Sequence, residues 1–408
     1  MKTSANKARV MRTPVVLVSG QGDTDGVAGA LMAAPGTVVV GHEFDGQVVR
    51  RWVSSLRGGE LSSSEQALEL VHGCVSCTIR NDLLVLLRRL HRRGDVQRIV
   101  VLAAPWLEPE PICWAINHIR VRVGAGYADG PAARDVRIAA VVCCVDSTDW
   151  LVGALGYDAL DDQRTVAQVV VGQAEFADVL VLTEPEPVTL SVLRRLAPRS
   201  RITVGRERVE MALKHLEPGA RCGQDPDPHD PLLLEEPPLS ADGDVALMEF
   251  SAQRPFHPQR LHAAIDVLLD GVIRTRGRVW LATQSDDVLW IESAGGGLRL
   301  GHAGKWLASM NATELAYTDP ERVAFAAARW DEQFGDRHVS MTILVCGARH
   351  ADIADALQRA LLTDDELTRP GEWSHYLDPF GDWHEEPCGE PATPHTIPVH
   401  GSDEEAER

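Results

Sequence analysis

The sequence predicts an α/β protein with a doubly wound, mostly parallel sheet, followed by a second, smaller α+β domain. Two observations support this prediction. Short apolar runs alternate with helical patterns as far as about residue 204, and this alternation is typical of a parallel sheet with helices on both faces. A segment rich in proline and acidic residues then precedes a region of mixed strands and helices. Such a segment is typical of a linker between two domains.

The first sheet is predicted from six apolar, largely β-branched runs, a composition that favours strands. They cover residues 15–18, 37–40, 98–102, 138–145, 179–182 and 202–204. Helical patterns between them predict helices at residues 64–71, 83–91, 113–121, 166–177 and 188–196. The second domain is predicted to contain helices at residues 261–269 and 353–362 and strands at residues 279–281, 288–291 and 341–345.

Changes in composition give the predicted domain boundaries. Residues 1–12 form a basic N-terminal extension, and residues 384–408 form a tail whose proline, histidine and acidic residues predict disorder. Between them, the first domain covers residues 13–216, the linker residues 217–244 and the second domain residues 245–383. A chain of 408 residues is long enough for two such domains, each with its own core.

The charge and the apolar pattern exclude several classes of protein. The formal net charge is −19, which opposes binding to a phosphate backbone, so we expect no autonomous nucleic-acid binding. No apolar run reaches the roughly 20 residues needed to cross a bilayer, and the N-terminus lacks the apolar segment of a secretory signal. We therefore predict a cytoplasmic protein without membrane contact, whose eight cysteines are mostly reduced.

The loop after the first strand, residues 19–26, has the position of a P-loop but lacks its chemistry. A working P-loop, G-x-x-x-x-G-K-[ST], holds phosphate and Mg²⁺ with backbone amides, a lysine and a hydroxyl. Gly20, Gly22 and Gly26 keep a glycine-rich backbone here. No lysine lies in this phosphate loop, and Val27 and Ala28 stand where hydroxyl residues are needed. The sequence therefore predicts an eroded nucleotide site.

Two carboxylates weaken the phosphate loop further. Asp23 and Asp25 repel an anion by Coulomb's law unless they are protonated or bridged by a metal. The glycines of this loop, with Glu43 after the second strand, also imitate a dinucleotide fingerprint in which an acid binds the ribose. The same two aspartates oppose a pyrophosphate. An unrelated dinucleotide-binding enzyme is therefore kept as a third hypothesis.

Cys74 and Cys77 form a Cys-x-x-Cys pair in a glycine-led loop that precedes a leucine-rich helix. This spacing lets two sulfur atoms reach one Zn²⁺, whose structural sites take four nitrogen or sulfur ligands. The alternative is a pair of reduced thiols in a buried loop, since unpaired cysteines are often buried. The pair alone does not decide between these two interpretations.

These features together resemble the CobW family of P-loop GTPases that carry a CobW C-terminal domain. The family's metal-binding loop, Gly-Cys-x-Cys-Cys-Thr-x-Arg, resembles residues 73–80, with Ser76 in place of one cysteine. Its second-strand motif, Asn-Glu-Phe-Gly, resembles residues 42–46, and the resemblance adds Glu43 as a zinc ligand beside Cys74 and Cys77. The second domain resembles the family's at residues 254–261, 271–282, 304–306, 335–338, 361–366 and 378–383.

The resemblance covers most of the chain, from residue 15 to residue 383, and implies a P-loop-type sheet. The residues that shape the family's fold are kept, whereas the residues that bind and hydrolyse its nucleotide are replaced. The acidic motif after the third strand lacks its leading carboxylate at residues 102–109, and the guanine-binding Asn-Lys-x-Asp is Thr-Glu-Pro-Glu at residues 183–186. The resemblance therefore implies a pseudo-GTPase with no predicted catalytic residue. If it is active, it would be a GTP hydrolase, and its nucleotide-binding candidates are Gly20, Gly22, Gly26 and Asp146.

Within the family, the phosphate loop, the thiol loop (residues 73–77) and residues 103–109 resemble one branch. That resemblance implies a protein that recruits a hibernation factor to ribosomes under zinc limitation, with Cys74 and Cys77 as a zinc-sensing pair. The implied partners are the ribosome and the hibernation factor. The implied cofactor is Zn²⁺, with GTP and Mg²⁺ only if the eroded loop still binds nucleotide. The second hypothesis is a GTP-driven zinc metallochaperone.

Overall fold

The computed structural model describes residues 11–70, 74–217, 219–224, 227–233 and 235–381, and the backbone of residues 395–396. The predicted N-terminal extension and the predicted disordered tail lie almost entirely outside these residues. Contacts divide the chain into two units that are not contiguous in sequence. Residues 149–171 and 187–198 group with the second unit, although both segments lie inside the predicted first domain. The second unit also takes the linker from residue 227 onward.

The first unit is built on an eight-stranded sheet in the order β4-β3-β2-β5-β1-β6-β7-β8. Its strands are β1 Thr13–Gly20, β2 Thr37–Phe44, β3 Val49–Arg57, β4 Glu60–Leu68, β5 Arg98–Leu102, β6 Val136–Val145, β7 Val179–Leu182 and β8 Arg201–Val204. The pairs from β2 to β8 are parallel, and β2–β3 and β3–β4 are antiparallel. The predicted α/β class with a mostly parallel sheet is confirmed.

Alternating residues of β1 serve two hydrophobic cores, one on each face of the sheet. Val15 and Leu17 pack on the face that also buries Leu87, whereas Val16 and Val18 pack on the face that buries Leu31. This alternation is the period of a strand. The helices in the first half of the chain are α1 Thr24–Met32, α2 Val75–His91, α3 Pro109–His118, α4 Trp150–Leu155, α5 Val166–Phe176, α6 Pro187–Leu196 and α7 Val209–Lys214.

The helix predicted at residues 64–71 is wrong, because this segment begins within β4 of an antiparallel hairpin. Gly58 and Gly59 form the turn, with φ of +60° and +89°, and two consecutive residues of positive φ are typical of a tight hairpin. The hydroxyls of Ser54 and Ser63 are hydrogen-bonded across the hairpin at 2.9 Å. Because β4 is largely exposed and polar, it lacks the alternating apolar residues that would have indicated a strand.

The second unit contains a sheet in the order β14-β12-β11-β10-β13-β9, antiparallel throughout. Its strands are β9 Val245–Ala252, β10 Val272–Val279, β11 Asp287–Ala294, β12 Gly297–Lys305, β13 Val339–Cys346 and β14 His395–Thr396. Its helices include α8 Pro258–Ala263, α9 Ala312–Ala316, α10 Pro320–Ala327, α11 His350–Ala360 and α12 Asp364–Leu367. Trp280, Trp306 and Phe256 are fully buried in its core. Over the described ranges, no helix is both long and apolar enough to cross a bilayer.

Candidate functional site

The phosphate loop lies at the carboxyl end of β1, between the ends of β5 and β6. Ligands of doubly wound sheets bind at this kind of edge. Gly20 has φ of +112°, and a Cβ atom there would lie 2.2 Å from the carbonyl oxygen of Cys144, so only glycine fits. The backbone N–H of Gly22 donates to the same carbonyl at 2.9 Å. The loop is therefore held directly against β6.

Asp23 places its own carboxylate at the N-terminus of α1. Its Oδ1 accepts a hydrogen bond from the backbone N–H of Gly26 at 2.9 Å, and its Oδ2 accepts one from Arg206 Nη1 at 2.9 Å. A helix N-terminus beside a cation is a typical phosphate site. Here a carboxylate of the same chain already satisfies both groups. A nucleotide phosphate would have to displace it.

Arg206 is a site residue that the sequence analysis missed. It follows β8 and lies 183 residues from Asp23 in the sequence, so no local pattern links the two. Both side chains are about half exposed, at 52% and 48%. The pair therefore adds little stability, but it directs the cation toward the phosphate loop.

Two glutamines link the same edge to the segment after β5. The side-chain amide of Gln21 donates to the Pro105 carbonyl at 2.5 Å. Buried Gln173 donates to the carbonyls of Pro105 and Leu107 at 2.7 and 2.9 Å. In the family pattern this segment begins with a carboxylate, whereas here the contacts are between amides and carbonyls. These contacts are structural, and Leu102, at the position of the family's carboxylate, cannot bind a metal.

Asp146 follows β6, and its Oδ1 accepts from the backbone N–H of Thr148 at 3.1 Å. A Cβ atom on Gly22 would lie 3.1 Å from the Asp146 nitrogen, so the loop and this turn are close together. Ser147 joins the turn to residues 183–186, since its N–H donates to Thr183 Oγ1 at 3.1 Å and its hydroxyl donates to the Glu184 carbonyl at 2.7 Å. The structure thus brings the predicted glycines and Asp146 to one edge. Nucleotide binding there stays a prediction.

Cys74 and Cys77 lie at the start of α2. Cys74 is the N-cap, and its sulfur accepts a hydrogen bond from the backbone N–H of Cys77 at 3.2 Å. Hydrogen bonds from the side chain and then the backbone of Cys77 lower the pKa of Cys74 below its ordinary value, and the charge of Arg80 adds to this. Arg80 Nη2 lies 3.8 Å from the sulfur of Cys77. The helix N-terminus and the guanidinium favour thiolate, which is the form that binds metal.

Glu43 lies exposed near the end of β2, opposite Arg50 in the register with β3. Within the part of the chain that the structure describes, no three His, Cys, Asp or Glu side chains are close enough together to hold a metal ion. His72 lies outside the described residues. The two thiols therefore lie at the same helix start, and their chemistry suits a soft metal. The role of Glu43 as a third ligand stays a prediction.

A buried charged network behind α2 was also missed from the sequence. Asp82 of α2 accepts from Arg51 Nη1 at 2.7 Å, and His42 Nε2 lies 2.8 Å from its other oxygen. These contacts join α2 to β2 and β3. Because neighbouring side chains of a strand point to opposite faces, His42 shares the face of α2, and the adjacent Glu43 does not.

The chain is similar to proteins of one family over most of its length. Residues 41–203 match the family described as CobW/HypB/UreG, nucleotide-binding domain. Residues 245–361 match the cobalamin synthesis protein cobW C-terminal domain.

Several relatives carry names that refer to zinc. A protein of Mycobacterium tuberculosis named "Zinc chaperone Rv0106" is 66% identical over 380 residues, which cover 93% of this chain and 96% of that protein. A Dictyostelium discoideum protein named "Zinc-regulated GTPase metalloprotein activator 1" is 23% identical over 78% of this chain and 70% of that protein. Among solved structures, the Zn(II)-bound YjiA GTPase from E. coli aligns with 15% identity and a TM-score of 0.38, over 86% of this chain and 100% of that chain.

Proposed function

This chain belongs to the CobW family, and from that premise we propose that it is a zinc-responsive binding protein rather than a working GTPase. One observation carries the proposal. At the N-terminus of α1 the anion position is already satisfied by Asp23 and Arg206, whereas at the N-terminus of α2 the pKa of the Cys74 thiol is lowered. The N-terminus of α1 therefore opposes phosphate binding, and the N-terminus of α2 favours metal binding. The names of the relatives support a role with zinc.

Zinc would bind as cargo or signal at Cys74 and Cys77. The thiols must lose their protons to become ligands, so binding releases protons and strengthens as the pH rises. A metal on Cys74 would also replace the hydrogen bonds that its sulfur accepts from Cys77, which changes the start of α2. Two thiolates leave positions on the metal for other ligands. A partner or client protein can supply those ligands.

We further propose that the metal state of the thiol loop selects a protein partner, and that the protein recruits a hibernation factor to ribosomes when zinc is scarce. The support for this finer function is the resemblance of the phosphate loop, the thiol loop and residues 103–109 to one branch of the family. The acidic net charge of −19 favours a protein surface, rather than bare RNA, as the point of contact.

Co-sedimentation with ribosomes tests the recruitment. The purified protein, with and without the hibernation factor, is pelleted with ribosomes in the presence of a zinc chelator and again with added zinc. We expect pelleting that differs between the two conditions, and we expect the Cys74→Ser/Cys77→Ser variant to lose that difference. Pelleting that never exceeds the ribosome-free control would overturn the recruitment proposal and leave the zinc proposal standing.

A GTP-driven zinc metallochaperone is the second candidate, and the name of the 66% identical relative favours it. Nucleotide binding separates the two candidates. Titration of labelled GTP with Mg²⁺, followed by measurement of phosphate release with and without zinc, should give weak binding and no turnover under the first proposal. Zinc-dependent turnover would establish the second.

A further inference from the structure

The second unit contains a cavity that neither proposed function uses. It lies among the end of β10, the residues before β13, and α10 with the turn after it. The empty space, including the mouth open to solvent, is about 350 Å³. Its polar lining includes Arg278, Arg322, Arg329, Trp306, Asp336 and His338.

Arg278 is a buried cation with unused donors. It is 2% exposed, and its Nη1 donates to the carbonyls of Pro228 and Asp230 at 2.8 and 2.9 Å. Among the described residues, its Nε and Nη2 have no hydrogen-bond partner. Burial lowers the pKa of Arg278 to about 10, so the guanidinium is still charged at neutral pH. A buried charge with unsatisfied donors is costly unless an anion accepts from them.

Trp306 and His338 add one donor and one acceptor to the lining. The indole N–H of Trp306, 2% exposed, has no partner in the described part of the chain. His338 Nδ1 lies 2.8 Å from the Asp336 carbonyl, which can only accept, so Nδ1 carries the proton. Burial lowers the pKa of His338 to about 4, so the ring is neutral and its unpartnered Nε2 is an acceptor.

The lining holds three guanidiniums and one carboxylate, and the charges of Asp227 and Asp230 also act on Arg278. The Asp336 carboxylate already accepts from the backbone N–H groups of Leu307 and Ala308 at 2.8 and 2.9 Å. Arg322 is held by a hydrogen bond to the Lys305 carbonyl at 2.6 Å, and Arg329 lies over the ring of Phe325 at 4.7 Å. These contacts hold the side chains of Arg322 and Arg329 at the cavity.

We propose that this cavity binds a phosphate group, either free hydrogenphosphate or a small phosphomonoester. The arginines and the Trp306 indole would donate to its charged oxygens, as guanidinium groups do in phosphate sites. The neutral Nε2 of His338 would accept from the P–OH group of hydrogenphosphate, or of a phosphomonoester that binds as its monoanion. Sulfate has no such group at neutral pH. Trp306 of the Gly-Lys-Trp motif at residues 304–306 and Asp336 and His338 of the Gly-Asp-Arg-His motif at residues 335–338 line the cavity. Under this proposal, these three side chains serve ligand binding in addition to packing.

Calorimetric titration of the full chain in chloride buffer tests the proposal, with inorganic phosphate, sulfate and ribose 5-phosphate as probes. We expect one saturable site for inorganic phosphate and weaker binding of sulfate. Tighter binding of ribose 5-phosphate would identify a phosphomonoester as the source of the group, and weaker binding would identify free phosphate. Arg322→Gln and Arg329→Gln should each weaken phosphate binding about tenfold or more, the usual effect of losing a charged hydrogen bond.

Two controls locate the effect. Arg349→Gln removes an exposed arginine of the same unit, which pairs with Asp352 across one helical turn, and should leave phosphate binding unchanged. Arg206→Gln should also leave phosphate binding unchanged, which excludes the phosphate loop as the site. Thermal unfolding shows whether the variants are folded. The absence of saturable binding, or binding unaffected by both cavity variants, would overturn the site, and equal affinity for sulfate would overturn its assignment to phosphate.

Discussion

The helices α1 and α2 begin with the same capping hydrogen bond and differ in the side chain at the N-cap. In α1 the cap is Asp23, which accepts from the N–H of Gly26, and in α2 it is Cys74, which accepts from the N–H of Cys77. The carboxylate of Asp23 also accepts from Arg206 through its second oxygen, so the two side chains form an ion pair. A thiol whose pKa is lowered can exchange its proton for a metal. The same capping hydrogen bond is therefore accepted by a carboxylate in an ion pair at α1 and by a thiol suited to metal binding at α2.

The largest expected effect is on zinc binding at α2. Cys74→Ser/Cys77→Ser should abolish stoichiometric zinc uptake, with a loss of at least about 100-fold in affinity, because a hydroxyl is a poor substitute for a thiolate ligand. Titration against a chromogenic zinc chelator measures it. Cys222→Ser is the matched control, since Cys222 lies away from the thiol loop and its sulfur donates to the Ala139 carbonyl. Undiminished uptake in the double variant would place the zinc site elsewhere.

The next effect concerns the support of α2. Asp82→Ala would leave Arg51 and His42 without their shared carboxylate, and all three side chains are largely buried. We expect the free energy of unfolding to fall by about 2–4 kcal/mol, the usual range for breaking a buried charged pair from one side. Denaturant-induced unfolding of the variant and the wild type measures this difference. A loss below about 1 kcal/mol would mean that the network does not hold α2 to the sheet.

Features with a local sequence pattern could be predicted from the sequence. Contacts between residues far apart in the chain could not. Apolar runs predicted the strands at the centre of the first sheet, and glycine and cysteine spacing located both loops. Arg206 could not be predicted, because its contact with Asp23 depends on how β8 is placed beside β7. His42 and Asp82 likewise meet only when α2 packs on the sheet. The hairpin of β3 and β4 does carry a local signal, because the pair Gly58-Gly59 is typical of a tight turn.

A smaller effect is expected in the reactivity of the capping thiol. Since its pKa is lowered, Cys74 should be alkylated by iodoacetamide several-fold faster at pH 7 than Cys222, whose pKa is raised by burial and by Asp178. The sign follows from the thiolate fraction, which at a given pH is larger for the thiol with the lower pKa. Mass spectrometry of timed digests measures both sites in one sample. Equal rates would remove the electrostatic argument for metal binding at α2.

Arg80→Gln sharpens the same comparison. The guanidinium is a minor contributor to the lowered pKa of Cys74, after the hydrogen bonds from Cys77. The alkylation rate of Cys74 at pH 7 should therefore fall by less than about threefold, since the hydrogen bonds from Cys77 remain in the variant. A larger fall would mean that the cation, rather than the N-cap geometry, controls the thiol.

The smallest expected effect is on the stability that α1 gains from its ion pair. Arg206→Gln removes the cation from Asp23 but keeps the hydrogen bond from Gly26, so the cap persists. Because both charged side chains are about half exposed, the free energy of unfolding should change by less than about 1 kcal/mol. Asp23→Ala removes the cap itself and should cost about 1 kcal/mol, while it frees the helix N-terminus and Arg206 for phosphate. Labelled GTP should then bind more tightly to Asp23→Ala than to the wild type, and no gain would mean that the missing lysine, rather than the resident carboxylate, excludes nucleotide.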